Sequence, residues 1–160
     1  MAHRSDDYKA FGSALKYSLI AEDSYSMGKP IILGFTLENL TNECFWILTW
    51  YTPLEGLKGR IFKVTCSGKE ILYNGPMVKR GGPELADYVR IGPKGSVSAK
   101  VVLSAAYSLP VSNECRVEFE GRIHDIVRDT NFVFIGRDEH HWIDIKGNAV
   151  AFRVVGPLRE

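Results

Sequence analysis

The sequence predicts an all-β fold, an antiparallel sandwich, and three observations carry that expectation. Apolar and polar residues alternate with period two in one short run after another. Gly, Pro, Asn and Ser clusters separate those runs at close intervals. No long stretch shows the 3.6-residue period of an amphipathic helix. A chain of 160 residues suits one domain better than two, because small domains bury too little surface to be stable.

Taken in order, residues 1–13 are polar and mixed. They read as a terminal segment prone to fraying, ahead of a single sandwich domain over 14–160. Leu15, Tyr17 and Leu19 alternate with Lys16 and Ser18. Ile31, Leu33, Phe35 and Leu37 alternate through PIILGFTLEN, and the polar turn ENLTNE leads into CFWILTWY. These two runs read as a hairpin. IFKVTC and KEILY flank Ser67-Gly68 and read as a second hairpin. YVRI and SVSAKVVL flank the turn Gly92-Pro93-Lys94-Gly95, and CRVEFEGRI alternates again. WIDI and NAVAFRVV flank Lys146-Gly147 as a last hairpin. The total is about nine or ten strands, the pattern of an immunoglobulin-like sandwich. NGPMVKRGGPELA, residues 74–86, is rich in Gly and Pro and reads as a long surface loop. Residues 104–110 and 123–131 each have room for a helical turn.

Composition excludes several roles. Twenty basic and nineteen acidic residues leave a formal net charge of +1, which gives no electrostatic footprint for nucleic acid or an anionic membrane. No run approaches the roughly 18 apolar residues of a membrane span, and the N-terminus lacks a signal-peptide core. The chain as written is expected to be cytoplasmic, although secretion of a trimmed chain is compatible with it. Cys44, Cys66 and Cys115 make an odd set with no C-x-x-C spacing. They read as free thiols in strands, with one disulfide plus one thiol as the alternative. The sequon Asn39-Leu40-Thr41 has meaning only in a secreted chain.

No set of residues reads as catalytic, and no cofactor or metal is expected. Asp138, Glu139, His140, His141 and Asp144 combine imidazole with carboxylate, the chemistry of a zinc site. Adjacent histidines on a strand, however, point to opposite faces, so a solvated turn is the expectation. His124 beside Asp125 resembles part of a triad, but no G-x-S-x-G nucleophile elbow exists. His124 reads instead as a partly exposed histidine at a strand end. Lys79-Arg80-Gly81-Gly82 reads as an exposed basic turn. Phe45, Trp46, Trp50 and Tyr51 crowd one segment whose two faces are both apolar, as expected of a central core strand.

The strings TWYTPLEGL, IFKVTCSGKEILYNGPMVKRGGP and DYVRIGPKGSVSAKVVLSAAYSL resemble the small β-sandwich that precedes the catalytic domain of deuterolysin-type (peptidyl-Lys) zinc metallopeptidases. The matching positions are Trp50, Thr52 to Leu57, Phe62, Val64, Gly68, Ile71, Tyr73, Gly75, Lys79, Arg80, Pro83, Asp87 to Val89, Ala106 and Tyr107. The match as a whole covers roughly residues 30–122. More loosely, the strand order is similar to that of immunoglobulin-like intracellular proteinase inhibitors. The chain has no H-E-x-x-H and stops at Glu160, so the resemblance implies the accessory module and not the peptidase activity. A non-enzymatic binding protein directed at a peptidase is therefore the expectation. Its contact residues would be Gly75, Pro76, Met77, Val78, Lys79, Arg80 and Gly81 in the long loop. Thr52, Pro53, Leu54 and Glu55 would form a second contact loop. A carbohydrate-binding sandwich using Trp46, Trp50 and Trp142 stays open beside it, as does a structural, self-associating module.

Overall fold

The computed structural model describes residues 11–129 and 142–157. Among them the fold is an all-β sandwich of thirteen short strands and three complete 3₁₀ turns, a few strands more than the alternation predicts. Among the described residues no helix is long and apolar enough to cross a membrane.

One layer holds β1 (Leu15–Ile20), β3 (Ile32–Asn39) and β8 (Ser96–Val102), paired antiparallel in the order β1-β3-β8. The facing layer holds five strands in the order β2-β13-β9-β5-β6. They are β2 (Ser24–Ser26), β5 (Phe62–Cys66), β6 (Lys69–Ile71), β9 (Ser112–Phe119) and β13 (Val150–Val155). All pairs in that layer are antiparallel except β2 with β13, which run parallel. Period-two alternation turns Leu15, Tyr17, Leu33, Phe35, Val64 and Val117 into the space between the layers, where all are buried. There Phe119 meets Tyr17 edge to face at 5.1 Å and Phe35 at 5.4 Å, the geometry that aromatic quadrupoles favour.

Three hairpin expectations have different outcomes. β5 and β6 form the predicted hairpin, with Ser67 at φ 51° and Gly68 at φ 80°, as a two-residue turn matched to strand twist requires. β3 and β4 (Phe45–Leu48) do not pair with each other. β3 pairs with β8, while β4 sits between β11 (Ile126–Arg128) and β7 (Tyr88–Ile91) in a separate sheet. Nor do the strands around Lys146-Gly147 pair. β12 (Ile143–Asp144) joins β10 (Arg122–Ile123), and β13 joins β9 and β2. Of residues 123–131, which have room for a helical turn, the described part holds the end of β10, all of β11 and, at Asp129, a 3₁₀ residue.

The β3–β4 outcome has a physical cause. Residues 32–48 pair with residues 88–102 as one antiparallel ribbon that bends from sheet to sheet. Asn39, fully buried, holds the bend. Its Nδ2 donates to the carbonyls of Glu43 (2.7 Å) and Gly92 (2.9 Å), and its Oδ1 accepts from the Thr41 amide (3.0 Å) and hydroxyl (2.8 Å). The sequon nitrogen is thereby closed to a glycan in the folded chain. Asn39→Ala should cost about 2–3 kcal/mol by stranding these buried partners, read as a lower urea midpoint at unchanged m-value.

The cysteines correct the free-thiol reading. Cys66 and Cys115 face each other across β5 and β9, with Cα atoms 4.0 Å apart, and form a disulfide. Cys44 is a free, half-buried thiol. The free-thiol expectation rested on an odd count, which says nothing about strand register. At the N-terminal side, Phe11 is buried and packs edge to face on Phe45 at 5.2 Å. Ordered packing therefore begins before residue 14.

Candidate functional site

The second predicted loop is built around a cap. Thr52 is buried, donates from its hydroxyl to the Thr49 carbonyl (2.7 Å) and accepts from the Leu54 amide (3.1 Å). It thereby caps the 3₁₀ turn Pro53–Glu55, with Pro53 at the first position, where its missing N–H costs nothing. Tyr51 precedes it at φ 59°, a conformation uncommon for a bulky residue. Its amide donates to Glu55 Oε2 at 2.8 Å, which closes the turn. Thr52 and Pro53 are thus packed inside the fold and have no surface to offer a partner. Leu54 and Glu55 are half-buried.

The same carboxylate reaches the long loop. Arg80 Nη2 lies 2.6 Å from Glu55 Oε2, and each of these side chains is only 8% exposed. The guanidinium carbon sits 4.7 Å from the Trp50 ring centre and 5.1 Å from that of Tyr51, within range of cation–π attraction. Arg80 is therefore not the exposed basic tip expected of Lys79-Arg80-Gly81-Gly82. It is a plug, and the loop folds back at that point.

Further ties act earlier in the loop. The Asn74 amide donates to the Ala106 carbonyl at 2.7 Å, the Tyr73 hydroxyl to the Pro76 carbonyl, and the Val78 amide to the Lys58 carbonyl at 3.3 Å. Gly75 passes so close to Tyr73 and Ala106 that a Cβ would come within 2.6 Å and 2.8 Å of them, so only glycine fits. Beneath it Tyr107 donates to the Phe62 carbonyl at 3.0 Å, and burial pushes its phenol up to about 12. Between these anchors Met77 is 78% and Val78 43% exposed. Pro76, Lys79 and Gly81 are exposed as well.

Below the loop tip lies a cleft of about 340 Å³ walled by Tyr51, Lys58, Arg60, Met77, Val78, Glu120, Arg122 and His124. The sequence reading missed it, because its basic residues come from segments sixty positions apart and only the fold gathers them.

The remaining candidates separate in space. Asp125 is buried and accepts a 2.5 Å hydrogen bond from the Tyr88 hydroxyl. His124 instead lies tilted against the Tyr51 ring, with ring centres 4.7 Å apart. The neighbour pair therefore does not assemble as a triad would need. Asp138, Glu139, His140 and His141 lie outside the described residues. Asp144 is exposed, and no group of three metal-ligating residues occurs among the described residues.

The tryptophans occupy three environments. Trp46 donates from Nε1 to Asp129 at 2.6 Å, Trp50 is buried beneath Arg80, and Trp142 stacks under Arg122 at 4.5 Å. Hydrogen bonds from Arg90 and then Trp46 hold the Asp129 carboxyl below the usual range. The chain matches no protein-family model and no curated protein.

Proposed function

We propose that the protein is a non-enzymatic binding module that inhibits or escorts a peptidase by presenting Met77, Val78 and Lys79. The observation that carries this reading is the anchoring of the loop. Backbone bonds at Asn74 and Val78 and the Arg80–Glu55 ion pair hold both ends of the tip, while the tip side chains face solvent. A tip fixed before binding loses little entropy on docking, as tight loop-mediated inhibitors require. The resemblance of the 50–107 segments to the accessory sandwich of peptidyl-Lys metallopeptidases supports a peptidase as the partner. The exposed ammonium of Lys79 supports a Lys-recognising pocket.

Within this reading the two predicted contact loops divide the labour. Met77, Val78 and Lys79 meet the partner, with Pro76 and Gly81 at the margins. Gly75 and Arg80, together with Thr52, Pro53, Leu54 and Glu55, brace the tip. The tryptophan-based carbohydrate reading has less support, since Trp46, Trp50 and Trp142 share no exposed platform.

The test is an inhibition and co-elution panel of metallo-, serine and cysteine peptidases, with a Lys-specific metallopeptidase among them. Lys79→Ala should weaken inhibition about tenfold or more, the scale of losing a central charged contact, with no loss of folding stability. Absence of inhibition and of any complex across the panel would overturn the reading.

A further inference from the structure

We propose that the cleft beneath the loop tip binds an organic carboxylate, a carboxyl group carried on an apolar body. The wall chemistry is lopsided in charge. Lys58, Arg60 and Arg122 face it with one opposing carboxylate, Glu120. Arg60 and Arg122 are only loosely engaged. Arg60 reaches Glu70 at 3.3 Å with both side chains largely in water, and Arg122 reaches exposed Asp144 at 3.9 Å. Such exposed pairs hold their partners weakly. The indole of Trp142 supports one face of the Arg122 guanidinium, which leaves its fork of donors for a planar acceptor.

His124 supplies a second, independent observation. Both ring nitrogens are buried without a hydrogen-bond partner among the described residues, and the nearest carboxylate, that of Glu120, is 3.8 Å from Nε2. Buried polar atoms in native folds are nearly always satisfied. A neutral imidazole must offer one N–H, and a carboxylate oxygen in the cleft that His124 lines would accept it once the ring turns toward the ligand.

The apolar half of the ligand follows from the opposite wall. Met77 and Val78 are exposed large apolar side chains at the cleft mouth, and the Tyr51 ring lines it. An inorganic anion would meet the cations and leave this wall wet. A carboxylate on a leucine-like body uses both. The same chemistry is offered by a free acid and by the C-terminal residue of a peptide.

NMR titration of the full chain decides it, following the His124 ring and Val78 methyl signals. The probes are N-acetyl-leucine, N-acetyl-leucinamide, a leucine tripeptide with a free C-terminus, and inorganic phosphate. N-acetyl-leucine is expected to give saturable shifts. The amide should bind about tenfold more weakly, as should Arg122→Ala, each having lost one partner of a charge-assisted pair. Lys58→Ala, a change at an exposed position, provides a second variant with a smaller loss if Arg122→Ala misfolds. Tighter binding of the tripeptide supports the proposal and identifies a peptide end as the source; tighter binding of N-acetyl-leucine supports it and identifies a free acid. No saturable shift, equal binding of the amide, or equal binding by both variants overturns it. Phosphate binding as tight as that of N-acetyl-leucine overturns the apolar half of the assignment.

Discussion

Glu55→Ala is expected to destabilise the protein by about 3 kcal/mol and to open the long loop to proteolysis. The carboxylate accepts from both the Arg80 guanidinium and the Tyr51 amide. Its loss leaves a cation whose side chain is 8% exposed and whose Nε already lacks a partner. An uncompensated buried charge is far costlier than a missing apolar contact. Tyr51 would also lose the bond that closes its left-handed backbone. Limited trypsin digestion should then cut after Lys79 or Arg80 much faster than in the native chain.

The double variant Glu55→Leu with Arg80→Met provides the contrast. Replacing both partners of a buried pair by apolar groups is often close to neutral, so most of the lost stability should return. Urea unfolding of the three proteins checks this. A change below about 0.5 kcal/mol for Glu55→Ala would mean that the pair behaves like an exposed one and that the loop is not clamped.

Cys115→Ser should cost about 4 kcal/mol, the chain-entropy value for a bridge of this span, since Cys66 and Cys115 are 49 positions apart. Both are buried in the central pair of the five-stranded layer. The serine hydroxyl would also enter an apolar site without an evident acceptor, which adds to the loss. Thiol titration in denaturant gives an independent check. Without reductant one thiol per chain should react, that of Cys44, and after reduction all three cysteines should do so. Three reactive thiols before reduction would restore the free-thiol reading.

The strands were legible because alternation is local. Leu15, Tyr17 and Leu19 announce their inward face wherever β1 lies in the fold. Pairing was much less legible. The ENLTNE turn looks like a hairpin loop, and only the burial of Asn39 against Gly92 shows it to be a corner between sheets. The disulfide depends on the register of β5 with β9, which no residue near Cys66 encodes. The long loop was correctly located by its Gly and Pro content, whereas Arg80 needed Glu55, twenty-five positions earlier, to become a clamp. Lys58, Arg60, Arg122 and His124 carry no shared signature in the sequence, so the cleft became visible only with the fold.

The bent ribbon has a mechanical consequence. Residues 32–48 and 88–102 belong to two sheets at once, joined through a corner that is hydrogen-bonded on every side. A pull on either sheet is transmitted by covalent chain to the other, which couples the movements of the two. The two sheets are in this respect leaves of one folded plate, with Asn39 as the pin at its corner.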